Sequence, residues 1–182
     1  ILPLCPTSYG DSPYQSFSTF AGNPYFISLE ALIEEGTLSP EECDCVDFGL
    51  QDDKVDYKKL YLQRYPLLRK AYERSNISLN PEFQKFVSEN KWWLFEYALF
   101  MALKDHFDGK PWTEWPEDIR LRDKSAMDYY WRELYPDIEF QQYLQFKFFQ
   151  QWYALKNYAN QQGIQMIGDI PIYVAMDSAD TW

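Results

Sequence analysis

Two apolar, β-type runs lie near opposite ends of this chain, and the pattern between them is almost entirely helical. The first run occupies residues 1–4, and the second occupies residues 164–174, which are rich in Ile, Tyr and Val. We predict that both runs are buried strands. Strands that are joined through helices pair in parallel with a right-handed crossover. The order of elements therefore favours an α/β fold with a large helical insertion.

Capping residues and helical spacing predict the elements between these runs. A short helix over residues 28–35 should end at Gly36, and Ser39 begins a capping box. Longer helices are predicted over residues 56–75, with a kink or break at Pro66, and over residues 80–106, 117–134 and 137–162.

The predicted elements divide the chain into three segments. Residues 1–27 form a strand end and a loop, residues 28–135 form a mainly helical inserted subdomain, and residues 136–182 form a helix, a strand and a strand-end loop.

The charge of the chain restricts its partners. The formal net charge is -11, so a nucleic acid or an anionic membrane surface would be repelled. Aromatic residues make up 19% of the chain, which suits both a thick core and a surface that stacks on sugars. A neutral ligand fits this composition best.

The cysteines and the chain ends indicate a reducing compartment and a longer parent protein. Cys5, Cys43 and Cys45 are odd in number and do not form a disulfide framework, so we expect free thiols. A metal site would need more ligands, and His106 is the only histidine. The chain begins with Ile1 and shows no signal peptide, and we expect a piece cut from a longer protein at both ends.

A rigid aromatic loop is the first candidate for a binding surface. Residues 2–25 read LPLCPTSYGDSPYQSFSTFAGNPY, in which turn-forming residues alternate with aromatics and hydroxyls. The face of Tyr14 could stack on a sugar ring while its hydroxyl takes a hydrogen bond. The alternative is that Tyr14 belongs to the core, and Tyr9 and Tyr61 carry the same two interpretations.

Asp169 is the strongest single candidate for a functional residue. It follows Met166, Ile167 and Gly168, at what we predict to be the carboxyl end of a strand, which is the catalytic end in α/β barrels. The alternative is that Asp169 caps a local turn or pairs with an arginine. Glycosidic-bond chemistry needs two carboxylates, and the sequence offers no convincing second one.

These motifs resemble a known family. Residues 2–25 and the segment GDIPIYVAMDSADTW at residues 168–182 closely resemble two signatures of the 4-alpha-glucanotransferases, the amylomaltase or disproportionating-enzyme family. Trp92, Trp93 and the segments YALFMALK at 97–104 and FQQW at 149–152 resemble its helical region. One departure is Cys5, where the family more usually has glycine.

The resemblance implies a partial (β/α)8 TIM barrel and a parent enzyme that transfers segments of α-1,4-glucans between maltodextrins by a retaining double displacement. It implies α-1,4-glucans and maltooligosaccharides as partners, a cytoplasmic protein, and neither an organic cofactor nor a metal. The nucleophile, the acid/base and the stabilising carboxylate are expected beyond Trp182, so no catalytic residue lies in this chain.

The resemblance also assigns substrate contacts. It implies that Ser12, Tyr14 and Asp169 bind the donor sugar next to the cleaved bond, and that Tyr9 and Tyr61 form a second, non-catalytic glucan site. The alternative function is a non-catalytic α-glucan-binding module that uses the same aromatic residues.

Overall fold

The structure, a computed structural model, describes residues 1–8, 10–49 and 54–182. Across these residues, short strands flank a series of α-helices. The elements are β1 (Gln15–Ser16), α1 (Leu29–Glu34), α2 (Pro40–Asp44), α3 (Tyr57–Arg74), α4 (Pro81–His106), α5 (Glu117–Arg120), α6 (Lys124–Glu133), α7 (Tyr135–Gln161) and β2 (Tyr173–Val174). In the described part of the chain, no helix combines the length and apolarity needed to cross a membrane.

The two strands pair in parallel, as the order of elements predicts. Gln15 lies opposite Tyr173, and Ser16 lies opposite Val174. Because β1 and β2 come from distant parts of the sequence, this short ladder brings the first loop and the last segment of the chain together.

The predicted positions of the strands are wrong. Residues 1–4 form no strand, and residues 164–172 form none before β2. Leu2 and Ile167 are 60% and 82% exposed, so neither run is buried as expected. A strand becomes regular only when neighbouring backbone supplies its hydrogen bonds, and the described residues supply such a ladder only at β1 and β2.

Capping residues set the helix ends much as the sequence predicts. The Ser28 hydroxyl accepts a hydrogen bond from the Ala31 N–H at the start of α1, and Gly36 follows that helix with a φ of 76°. Ser39 and Glu42 form the predicted capping box at α2. Asp56 and Asn80 cap α3 and α4.

Proline does not break α3. The helix continues through Pro66, which lies inside an 18-residue element. The carbonyl that Pro66 leaves without a helical partner belongs to Leu62, which is exposed to solvent. Water can hydrogen-bond that carbonyl, so the helix tolerates the proline.

The predicted single helix over residues 117–134 is wrong, because α5 and α6 are separate. Arg122 lies between them with a φ of 61°, in the left-handed region that ends a helix. Its guanidinium lies 2.6 Å from the Glu96 carboxylate and 4.5 Å from the centre of the Trp182 ring. These tertiary contacts favour a turn where the local pattern indicates a helix.

The main core forms where α4 and α7 pack together. Phe83 and Phe86 of α4 each place a ring 5.7 Å from the ring of Phe146 on α7. Leu144 of α7 is fully buried in the same cluster, together with residues of α1 and α3. Helices from the predicted segments 28–135 and 136–182 therefore share one core.

A buried glutamine joins the first loop to α7. The Gln145 side chain accepts a hydrogen bond from the Gly22 N–H at 2.7 Å and donates one to the Gly22 carbonyl at 2.9 Å. A Cβ atom on Gly22 would lie 2.0 Å from the ring of Phe148, so the backbone approaches the helix as only glycine allows. The loop is thereby held against a rigid helix.

Candidate functional site

The loop that carries Ser12 and Tyr14 is a tight, hydrogen-bonded turn. The Ser8 N–H donates to the Gln15 carbonyl at 3.0 Å, and Thr7 bridges Ser16 in the antiparallel sense. Gly10 and Asp11 turn the chain with φ values of 83° and 52°. Such a pinned backbone presents its tip residues in one arrangement.

Tyr14 and Asp169 meet across this turn. The Tyr14 hydroxyl donates a hydrogen bond to the Asp169 Oδ2 atom at 3.0 Å, and this bond raises the pKa of Tyr14. The second carboxylate oxygen, Oδ1, accepts from the Ile170 N–H at 2.8 Å. The parallel pairing of β1 with β2 explains the meeting, because Tyr14 directly precedes β1 and Asp169 lies four residues before β2.

Asp169 does not lie where the sequence pattern puts it. We expected it at the carboxyl end of a strand, but it lies on the amino side of β2, in an exposed segment that belongs to no strand. The reason is the short ladder, which includes only Tyr173 and Val174 of the predicted run. Two hydrogen bonds orient the Asp169 carboxylate there, since it accepts one from the Ile170 N–H and one from the Tyr14 hydroxyl.

A cleft of about 390 Å³ lies between the loop and β2. Ser12 and Tyr14 line one side of it, and the Tyr14 N–H donates to the Ser12 hydroxyl at 3.3 Å. The other lining residues are Gln15, Tyr173, Val174, Ala175 and Met176. Exposed hydroxyl and aromatic groups in one cleft can hydrogen-bond and stack on a polar, ring-shaped ligand.

Sequence reasoning missed the five other lining residues: Gln15, Tyr173, Val174, Ala175 and Met176. Gln15 and Tyr173 pair across the ladder, so only the register of the two strands makes them neighbours. The signal available in the sequence was an aromatic residue, Tyr173, within the second signature.

Tyr61 lies on α3, away from the β1–β2 pair in the order of elements. Its side chain is 53% exposed, and its ring is 5.3 Å from that of Tyr65. Both rings line a cavity of about 560 Å³ together with Arg69 and Asp105. Partial burial, and secondarily the Asp105 carboxylate, raises the pKa of Tyr61. Tyr9, the residue expected to act with Tyr61, lies outside the described residues.

The other residue types that carry chemistry lie elsewhere. His106 is the last residue of α4, as expected, with its ring 4.8 Å from that of Phe107. The three cysteines are free, and burial raises the pKa of the Cys5 thiol to about 11. Among the residues described, no three His, Cys, Asp or Glu side chains are grouped as a metal would require.

The whole chain is similar to one family of proteins. Residues 1–182 match the family described as 4-alpha-glucanotransferase. The chain belongs to the 4-alpha-glucanotransferase family. Among the relatives of this family, the 4-alpha-glucanotransferase of Streptococcus pneumoniae is 49% identical over 184 residues, and that of Thermus thermophilus is 45% identical over 186 residues. Both matches cover 100% of this chain and 36% of the relative.

A solved structure gives the same result for the fold. The amylomaltase from Streptococcus agalactiae in complex with acarbose matches with a TM-score of 0.95 and 41% identity. The match covers 100% of this chain and 37% of that one. The chain therefore spans just over a third of the length of its 4-alpha-glucanotransferase relatives.

Proposed function

We propose that this chain is part of a 4-alpha-glucanotransferase that transfers α-1,4-glucan segments between maltodextrins. Membership of the family supports the reaction class, and the match to an amylomaltase supports a partial (β/α)8 barrel. The observation that carries the proposal is the hydrogen-bonded pair of Tyr14 and Asp169 beside an open cleft. The three free thiols are consistent with a cytoplasmic protein.

In this proposal the cleft binds the donor sugar. The Asp169 carboxylate accepts hydrogen bonds from sugar hydroxyls, and such charge-assisted bonds are stronger than neutral ones. Tyr14 packs its ring on the sugar, and its hydroxyl keeps the carboxylate oriented. Ser12 shapes the turn through its bond with the Tyr14 N–H and offers a further hydroxyl contact.

We place the bond-breaking groups outside this chain. In a retaining transfer, a carboxylate attacks the anomeric carbon while an acid protonates the leaving oxygen, and an acceptor hydroxyl then displaces the enzyme carboxylate. The described residues that line the cleft include no carboxylate, and the Asp169 carboxylate accepts a hydrogen bond from Tyr14, which does line it. The resemblance to the family implies that the nucleophile, the acid/base and the stabilising carboxylate lie beyond Trp182.

We also propose that Tyr61 contributes to a second glucan site, with Tyr9 as its expected partner. Support comes from the exposed ring of Tyr61, the adjacent ring of Tyr65 and the cavity that both line. A polar wall that includes Arg69 and Asp105 would suit sugar hydroxyls.

Maltotriose disproportionation tests the main proposal. The full-length protein that contains this chain should convert maltotriose into glucose and longer maltodextrins, which chromatography separates by size. Maltose and glucose alone would indicate hydrolysis and would contradict transfer. No reaction with any α-1,4-glucan would contradict the proposed family activity.

A further inference from the structure

A buried lysine lies where the helical region meets the two strands. Lys104, near the end of α4, has a side chain that is 5% exposed. Its ammonium donates to the Gly109 carbonyl at 2.7 Å, the Lys110 carbonyl at 3.1 Å and the Asp177 carboxylate at 2.6 Å. Asp177 follows β2 by three residues, so this ion pair connects α4 to the segment after the second strand.

Asp177 is held from a second direction as well. Its other carboxylate oxygen accepts a hydrogen bond from the Trp112 N–H at 3.1 Å. The indole N–H of Trp112 in turn donates to the Met176 carbonyl at 2.7 Å, and Met176 lines the cleft. The cleft wall beyond β2 is thus fixed to the helical region through Asp177, which binds Lys104 and the Trp112 N–H, and through the Trp112 indole, which binds the Met176 carbonyl.

The same ammonium also contacts the segment after the first strand. It lies 5.5 Å from the centre of the Phe17 ring, and Phe17 directly follows β1. Phe100, one helical turn before Lys104, places its ring 6.3 Å from the same Phe17 ring. The Phe17 carbonyl accepts from the Ala179 N–H at 2.9 Å, which ties the two segments to each other.

We propose that Lys104 is a positioning residue for the glucan cleft, holding in place the segments that follow both strands. This inference rests on the proposed function, because it assigns Lys104 to the cleft of Tyr14 and Asp169. Phe17 lies three residues after Tyr14, Asp177 follows Asp169 in the same segment with β2 between them, and β2 pairs with β1. Lys104 touches no substrate in this proposal, and it acts through the backbone that carries the binding residues.

The cost of burying charge supports a role beyond simple packing. A buried ion pair is often no more stabilising than apolar residues of the same volume, because both charges lose water. Lys104 is nevertheless buried, with its ammonium 5.5 Å from the centre of the Phe17 ring, and Phe17 packs against the cluster that contains Phe100 and Trp115. An apolar side chain would fill that space, but it would not fix the carboxylate and two carbonyls in one geometry.

The chain offers a matched control in Lys147. Its side chain is 8% exposed, it forms an ion pair with Glu35 at 2.6 Å, and it lies 5.5 Å from the centre of the Phe146 ring. Lys147→Met and Lys104→Met therefore each remove a buried ammonium that forms an ion pair with a carboxylate. Only the second removes one that is connected to the strands.

The experiment compares both variants in the full-length protein, after circular dichroism shows that each is folded at the assay temperature. Lys104→Met should raise KM for maltotriose and weaken acarbose binding, measured by calorimetry, at least tenfold, with a smaller change in kcat. Lys147→Met should stay within twofold of the original protein on all three. Lys104→Arg, which restores the positive charge, should recover part of the affinity.

A double variant tests whether Lys104 acts through the cleft. If it does, Lys104→Met should weaken acarbose binding far less in an Asp169→Asn background, because the group that it positions is already lost. Equal losses for Lys104→Met and Lys147→Met, or fully independent effects of Lys104→Met and Asp169→Asn, would overturn the proposal.

Two further outcomes must be distinguished from a failure of the positioning role. If Lys104→Met does not fold, Asp177→Asn replaces it, since asparagine keeps an acceptor for the Trp112 N–H but loses the charge. Unchanged acarbose affinity in Asp177→Asn would then overturn the positioning role. A full-length protein with no transferase activity would instead overturn the proposed function, which separates the two failures.

Discussion

At the scale of the residue, the central feature is one hydrogen bond between distant positions. Tyr14 and Asp169 are 155 positions apart, and their side chains meet at 3.0 Å. The local patterns selected the two residues separately, through an aromatic loop and an apolar run before a carboxylate, and the family resemblance assigned both to one donor-sugar site. Their contact depends on the register of β1 with β2, which no local pattern encodes.

Substitution of the two proposed sites should affect different substrates. Asp169→Asn in the full-length protein should lower kcat/KM roughly 10- to 100-fold, on maltotriose and on long glucans alike. A hydrogen bond to a charged acceptor contributes about 1.5–3 kcal/mol, which gives this range. Tyr61→Ala should weaken the reaction with long glucans and spare maltotriose, because a second site is reached only by longer chains.

Initial rates on maltotriose and on amylose check this prediction. Tyr61→Phe is the matched control, because it keeps the ring and loses only the hydroxyl. Equal losses from Asp169→Asn and Tyr61→Ala on both substrates would contradict the assignment of two sites.

At the scale of the element, the helices follow their local signals and the strands do not. The capping box of α2 and the glycine after α1 lie at the predicted positions, because a helix satisfies its hydrogen bonds within its own segment. The predicted strands moved, since a strand depends on neighbouring segments. The break between α5 and α6 has the same origin, because Glu96 and Trp182 hold Arg122.

The capping box of α2 leads to a prediction about acid stability. The two terminal guanidinium nitrogens of Arg74 donate hydrogen bonds to the Glu42 carboxylate, at 2.7 and 3.0 Å. These bonds lower the pKa of Glu42 to about 2. A carboxyl whose pKa is lower in the folded state stabilises the fold above its ordinary pKa. That contribution disappears as the pH falls from about 4.5 toward about 2.

Glu42→Gln should therefore destabilise the protein at pH 7, and its difference from the original protein should shrink progressively below pH 4.5. Urea unfolding, followed by circular dichroism at several pH values, measures that difference. Glu89→Gln on α4 is the control, because Glu89 is 3.8 Å from Lys85 in an exposed pair that contributes little. A pH-independent difference for Glu42→Gln would contradict the prediction.

At the scale of the whole molecule, two clusters of aromatic side chains connect the parts of the chain. One lies between α4 and α7 and includes residues of α1 and α3. The other joins α4, α5 and α6 to Phe17 and Trp182, next to the segments that bear the cleft. The large aromatic content of the sequence suits both a core and a ligand surface. In the structure, the aromatic side chains lie mainly in these two clusters.

The 182-residue chain alone should not turn over maltotriose. Retaining transfer needs two carboxyl groups about 5–5.5 Å apart across the bond. The described lining of the cleft contains no carboxylate, and Asp169 contacts it only through Tyr14. Incubation of the purified chain with maltotriose, beside the full-length protein as a positive control, checks this expectation. Glucose release by the chain alone would contradict the proposed division of roles.

The sequence by itself determined most of the helices, the predicted capping residues, the parallel sense of the strand pair and the family signatures. The helices and caps depend on neighbours within a few residues, the parallel sense follows from the helices between the two runs, and the signatures are motifs that can be read directly. Only the tertiary structure decided where the strands lie, where the helix near residue 121 breaks, that Tyr173 and Met176 line the cleft with Tyr14, and that Lys104 reaches both strand ends. Each of these depends on contacts between segments far apart in the chain, and such contacts leave no periodic trace in the sequence.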